Sequence, residues 1–175
     1  MLKRLLSMGA AALAALGSGC GDGPATVSGW RSPSAWSSMV YASSHGPLLL
    51  VVHGAPFGED ALGFRARVAQ AMTNQIIGRP LAFTIDPEAA PQARYRVVLA
   101  FNPPDDTNPR ALCEGRIATA AQPRDKLTVH GAFCDGSDLL ASVTGWVAGV
   151  KDDGDHRFAQ LMGQAVRDLF GNPPN

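Results

Sequence analysis

"PLLLVVHGAPFG", residues 47–58, is the stretch on which the fold turns. Its first half is a continuous apolar run of strand length, the pattern of a strand covered on both faces. Its second half leaves the strand through Gly54 and Pro56, with Phe57 placed to cover the core. The next segment, "EDALGFRARVAQAMTNQII", changes period. Ala61, Phe64, Val68, Met72 and Ile76 share one helical face, Glu59 and Asp60 sit near the positive helix start, and Gly78 and Pro80 end the helix.

Beyond that helix the chain turns to strands. "LAFTI" gives a short one before the turn "DPEAAP", and "RYRVVLAF" alternates, with Tyr95, Val97, Leu99 and Phe101 on one side until "NPPDDTNP" breaks it. "LCEGRIAT" and "KLTVHGAFC" are further strand candidates around the loop "AAQPRD", followed by "LLASVTGWVAGV". "KDDGD" reads as an acidic turn and cap leading into a last helix, where Phe158, Leu161, Met162, Ala165, Val166 and Leu169 form the buried stripe. Gly171 and Pro173 stop it. The order strand, helix, several strands, helix predicts an α+β fold: a two-layer sandwich in which an antiparallel or mixed sheet carries two helices packed on one face.

A strand running into His-Gly, a small residue and Pro is also how many α/β-hydrolases enter their oxyanion hole. Such an enzyme needs a nucleophile on a sharp turn, usually in G-x-S-x-G, and a large parallel sheet of alternating strands and helices. The sequence contains no G-x-S-x-G, and Leu81 to Val150 shows strands with no helix between them. A hydrolase using His53 is therefore the remote reading, and no catalytic residue is assigned. A Walker loop, a dinucleotide fingerprint and a carboxylate dyad are likewise missing from the sequence, so no cofactor is expected.

The first residues address the chain. "MLKRLLSMGAAALAALGSGC" has a positive start at Lys3 and Arg4, an apolar stretch from Leu5 to Leu16, then small residues and Cys20, the build of an export signal. The apolar stretch is shorter than the roughly 20 residues a membrane span needs. Residues 1–19 are read as the signal, 20–38 as a Gly-, Ser- and Pro-rich tether, 39–171 as one α+β domain and 172–175 as a tail. The tether reading must place Trp30 and Trp36, for which packing on the domain, the lipid interface and a partner's surface are the alternatives.

Of 15 basic and 15 acidic residues, Lys3 and Arg4 leave with the signal, so the remainder is slightly acidic. With no Lys/Arg run to neutralise phosphates, nucleic acid is not an expected partner.

Cys113 and Cys134 form the second pair question. In an exported chain a disulfide is the first expectation. A hairpin turning near Pro123 would set these two cysteines opposite each other, although a slip by one residue would match Ile117 with Val129 better, and a β-bulge would reconcile the two. Separate buried thiols are the alternative. The histidines at 45, 53, 130 and 156 occur singly, without metal-ligand spacing, so no metal site is predicted.

The Cys directly after Gly-Ser-Gly resembles a bacterial lipoprotein signal, although Leu16 sits one place too early and Gly17 stands three before the Cys. With "RYRVVLAF" and "LLASVTGWVAGV…FAQLMGQAVRDLF" in the second half, the chain resembles small Gram-negative envelope lipoproteins whose periplasmic domains are similar to the TolB amino-terminal domain and to lipoprotein activators of penicillin-binding proteins. The resemblance implies acylation of Cys20, a position on the periplasmic leaflet of the outer membrane, and a non-enzymatic binding or assembly role with another envelope protein. A soluble periplasmic protein is the alternative address. The alternative role is a carrier or sensor of a small apolar ligand between sheet and helices, lined by Phe83, Phe101, Phe133 and Trp146, which ordinary core packing would equally explain.

Overall fold

The computed structural model describes residues 21–58, 60–119 and 125–171. Residues 1–19, read above as an export signal, Cys20, Glu59, the stretch 120–124 and residues 172–175 lie outside the described residues. Along the chain run β1 (Ala25–Arg31), α1 (Ala35–Ala42), β2 (Leu48–His53), α2 (Ala61–Met72), β3 (Phe83–Thr84), β4 (Tyr95–Phe101), α3 (Pro109–Cys113), β5 (Lys126–Asp135), β6 (Asp138–Ala148) and α4 (His156–Phe170).

The six strands form one open mixed sheet in the order β1-β6-β5-β4-β2-β3. β2 lies parallel to β3 and β4, while β4-β5, β5-β6 and β6-β1 are antiparallel. The fold is thus α+β, as the periodicities predict. The switch from parallel to antiparallel follows from connection length: helix-containing crossovers link the parallel strands, whereas the two residues Gly136 and Ser137 close the β5-β6 hairpin, with Gly136 at φ 58°.

One sheet face carries the main core. Leu48, Leu50, Val97, Leu99, Phe101, Val129, Phe133 and Val143 meet Phe64, Val68 and Met72 of α2 and the stripe Phe158, Leu161, Met162, Ala165, Val166 and Leu169 of α4. The two expected helices are joined there by α1, through Ala35, Met39 and Ala42. Phe57 does cover the core beside α2, its ring packed edge-on against Phe64 and Phe158. The opposite face holds a smaller cluster of Val98, Ala100, Ala132, Cys134 and Leu139 beneath Leu112 and Cys113 of α3.

Three expectations are corrected. The tether assigned to 20–38 is largely structured: β1 pairs with β6 from Ala25↔Trp146 onwards, and α1 begins at Ala35. Pairing to a neighbour satisfies β1's backbone where its composition alone promised nothing. Trp36 packs on the core and Trp30 is exposed. Next, α2 stops at Met72 rather than running to Ile76. Thr73 is extended and Asn74 takes φ 60°, turning the chain so that Asn74 exchanges hydrogen bonds with Leu81, while Ile76 reaches the core from outside the helix.

Finally, "LCEGRIAT" is not a strand. Asn108 caps α3 by accepting from the Arg110 backbone N–H, and Pro109 occupies its first turn, so Cys113 ends a short helix. Cys113 and Cys134 are nevertheless joined, with sulfurs 1.99 Å apart. The disulfide pins α3 to β5 rather than closing a hairpin.

Candidate functional site

The carboxyl ends of β2, β4 and β6 meet the starts of β1, β5, α2 and α4 at one rim of the sheet. In sheets with parallel strands this is where connections diverge and leave a crevice. Two adjoining cavities of about 450 and 220 Å³ lie there and share Phe57. The larger is bordered by apolar Phe57, Leu127 and Val150 and by polar Asn102, Asp125 and Lys151.

Asn102 is the most constrained residue of the rim. It is 1% exposed and sits at φ 49°, a left-handed conformation that Asn tolerates better than most residues. Its backbone N–H donates to the Thr128 carbonyl and its Oδ1 accepts from the Thr128 N–H, so the chain leaving β4 is stitched to β5. Sequence reasoning marked this Asn only as the start of a breaker; the apolar strand before it and the two prolines after it were the available signal.

Four acidic residues of the rim, Asp60, Asp152, Asp153 and Asp155, are engaged within the protein. Asp60 caps α2 by accepting from the Gly63 N–H at 2.8 Å, and Asp155 caps α4 by accepting from the Arg157 N–H at 2.9 Å. Arg67 Nε reaches Asp153 Oδ2 at 2.5 Å, and Asp152 accepts from the Gly154 N–H. Arg157 donates through its side chain and its backbone to Asp155, which holds that carboxyl down at about 2. Arg157 also donates to the carbonyls of Ala148 and Gly149, fastening α4 to the end of β6. "KDDGD" is thus a turn and a helix cap, as expected.

The histidines are dispersed, with one exception. His45 is bonded to Ser44 Oγ, and His156 lies exposed beside Asp155. His53 and His130 share a row on the face opposite α2 and α4, flanking Ala100. Burial pushes the imidazoles of both below their ordinary range, with Arg65 adding to the effect at His53 and Asp105 opposing it at His130. Among the described residues, no group of three His, Cys, Asp or Glu side chains is arranged to hold a metal ion.

The four aromatic residues proposed to line an interlayer ligand site do not line one space. Phe83, Phe101 and Phe133 are 8%, 1% and 0% exposed within the main core, where Phe101 stacks on Phe158 and Phe133 meets Phe170 edge-on. Trp146 points to the other face, with Lys126 Nζ 5.6 Å above its ring. Among the described residues, these three phenylalanines pack into the core between sheet and helices.

Exposed apolar side chains occur elsewhere. Among the described residues β1 pairs only with β6, which leaves its outer edge unpaired there, and it carries exposed Val27 and Trp30. Tyr41, Leu62 and Ile77 are exposed on the helical side and its connections.

No protein-family model matches the chain, and neither does any curated protein. Two solved structures of PelC dodecamers from Paraburkholderia phytofirmans are similar to it. A single-residue variant is 18% identical over 71% of this chain and 88% of its own, with a TM-score of 0.41. A second is 15% identical over 83% of this chain and 98% of its own, with a TM-score of 0.45. The scores lie below 0.5, and the functional reading therefore rests on this chain's own residues.

Proposed function

We propose that the chain is an envelope lipoprotein, acylated at Cys20, whose domain has a non-enzymatic binding or assembly role at the periplasmic face of the outer membrane. The observation that carries the reading is the leader ending in Gly-Ser-Gly-Cys immediately before a folded body. An acyl-bearing Cys holds a protein to a membrane because each buried methylene contributes about 0.8 kcal/mol, and more than one chain is needed for a stable anchor.

The packing of Phe83, Phe101 and Phe133 into the core favours a module that binds through its surface over a carrier that encloses its ligand. The open edge of β1 supports the same reading. It offers seven residues free of Pro and Lys, and an extended segment of another envelope protein can pair with such an edge. A second reading keeps the rim cavity as a small-ligand site, favoured by the buried Asn102 amide at its wall.

Intact-mass measurement of the protein extracted from membranes tests the anchor, and a photo-crosslinker at Ser28 tests the partner. Acylated Cys20 and a crosslinked envelope protein are expected. A soluble chain with an unmodified Cys20, or one cleaved past it, overturns the anchor.

A further inference from the structure

Resting on that anchoring reading, we infer that the corner of the rim formed by Asp22, Lys126, Trp146 and Lys151 is the surface that lies against the bilayer. The fold reaches back almost to the anchor. The Asp22 carbonyl accepts from the Ala148 N–H at 2.6 Å, and Ala25 is paired with Trp146, so the chain is tied to the end of β6 within two residues of Cys20. Two fully extended residues span about 7 Å. The headgroup layer of one leaflet is itself about 5–7 Å deep. An acylated Cys20 thus keeps this corner in contact with the headgroups, where a tether of residues 20–38 would have left every orientation open.

The corner has side chains suited to that contact. Lys126 stands over the Trp146 ring, and an indole with an ammonium beside it is at home between an apolar layer and water. Lys126 and Lys151 are exposed, and their ammonium groups can donate to lipid phosphates. The opposite rim, with Tyr41, Ile77 and the β5-β6 turn, points away from the bilayer and stays open to partners.

The test uses the acylated full chain in vesicles of phosphatidylethanolamine and phosphatidylglycerol containing a lipid spin-labelled on its headgroup. Trp30→Phe with Trp36→Phe leaves Trp146 as the reporter; Trp36→Phe with Trp146→Phe leaves Trp30, five residues along β1 from the Ala25 end and about 17 Å away. Trp146 emission is expected to be quenched at least two-fold more strongly than Trp30. Equal quenching, or stronger quenching of Trp30, overturns the orientation. Should these variants misfold, an environment-sensitive fluorophore on Lys151→Cys and on Ile77→Cys, both surface positions, reads the same contrast, with a blue shift expected at 151 alone. The mass of each sample separates the two failures. Acylated protein without the contrast overturns the orientation and leaves the lipoprotein reading standing, whereas a free Cys20 thiol overturns both.

Discussion

Cys113 and Cys134 are bonded across the junction of α3 and β5, with their Cα atoms 5.6 Å apart and both residues buried. The helix they secure has only five residues, too few to persist alone. It nonetheless covers Val98, Ala100 and Ala132 on the second sheet face. Replacing both cysteines by Ala should cost about 3 kcal/mol on the chain-entropy estimate for a loop of this length. That corresponds to a fall of roughly 6–12 °C in Tm, measured by circular dichroism on oxidised protein. Reductant should lower the Tm of the unsubstituted protein and leave the double variant unchanged.

The main core converges on an aromatic cluster in which Phe64, Phe101 and Phe158 pack against one another, with Phe57 closing the rim side. Phe158 is 1% exposed, so Phe158→Ala opens a cavity that the neighbouring rings cannot fill. A loss of about 3–5 kcal/mol is expected, seen as a lower urea midpoint at unchanged slope. Phe57→Ala should cost less, because Phe57 is only partly buried and its space opens to the rim cavities.

Strong periodicity was legible and weak edges were not. The stripe of α4, the alternation of β4 and the continuous run of β2 each carry enough apolar side chains to state their period without a neighbour. β1 does not, because a strand at the sheet edge leaves Val27 and Trp30 exposed and interleaves them with Ser28 and Gly29. Its strand state comes from β6, a non-local partner. For α1, Ala35, Met39 and Ala42 are spaced as a helical face, but the serines around them read as linker. The start of α3 is written in "NPRALC", an Asn cap with Pro in the first turn, but Pro signals a helix start and a strand break alike, so the sequence alone does not separate the two. At the rim, the caps Asp60 and Asp155 were readable from position alone. The pairing of His53 with His130 across Ala100 required the register of three strands.

Gly145 lets α4 approach the sheet closely, and Gly131 leaves room for side chains of the neighbouring strands. A Cβ at Gly145 would lie 2.9 Å from Leu161 Cδ1 and 2.9 Å from Thr26 Cγ2, and one at Gly131 would lie 2.8 Å from Val143 Cγ1 and 3.0 Å from Leu99 Cδ2. Leu161, Val143 and Leu99 are buried and have little room to yield. Gly145→Ala is expected to destabilise by about 1–3 kcal/mol through overpacking. Chemical denaturation should show the loss, and combining Gly145→Ala with Leu161→Ala should recover part of it. Full additivity of the two losses would show that they do not meet.

Acid should weaken the protein in two separate steps. His53 and His130 titrate below their ordinary value of 6.5 in the folded state because burial disfavours their charged forms. Between the folded and unfolded values the unfolded chain binds more protons, so stability rises with pH there. The contribution is complete above about pH 7 and is lost as pH falls through 6.5 toward the lowered folded values. Asp155 follows the same sign in a lower window: its carboxyl, held at about 2 by Arg157 against an ordinary 3.8, contributes above about pH 4 and loses that contribution as pH approaches 2. Tm measured from pH 8 to 2 should therefore descend twice. His53→Gln with His130→Gln should flatten the upper descent and leave the lower. Asp155→Asn, which keeps a capping oxygen but cannot titrate, should flatten the lower descent and leave the upper. A Tm that does not change between pH 8 and 5.5 in the unsubstituted protein would show that neither imidazole is held below its ordinary value.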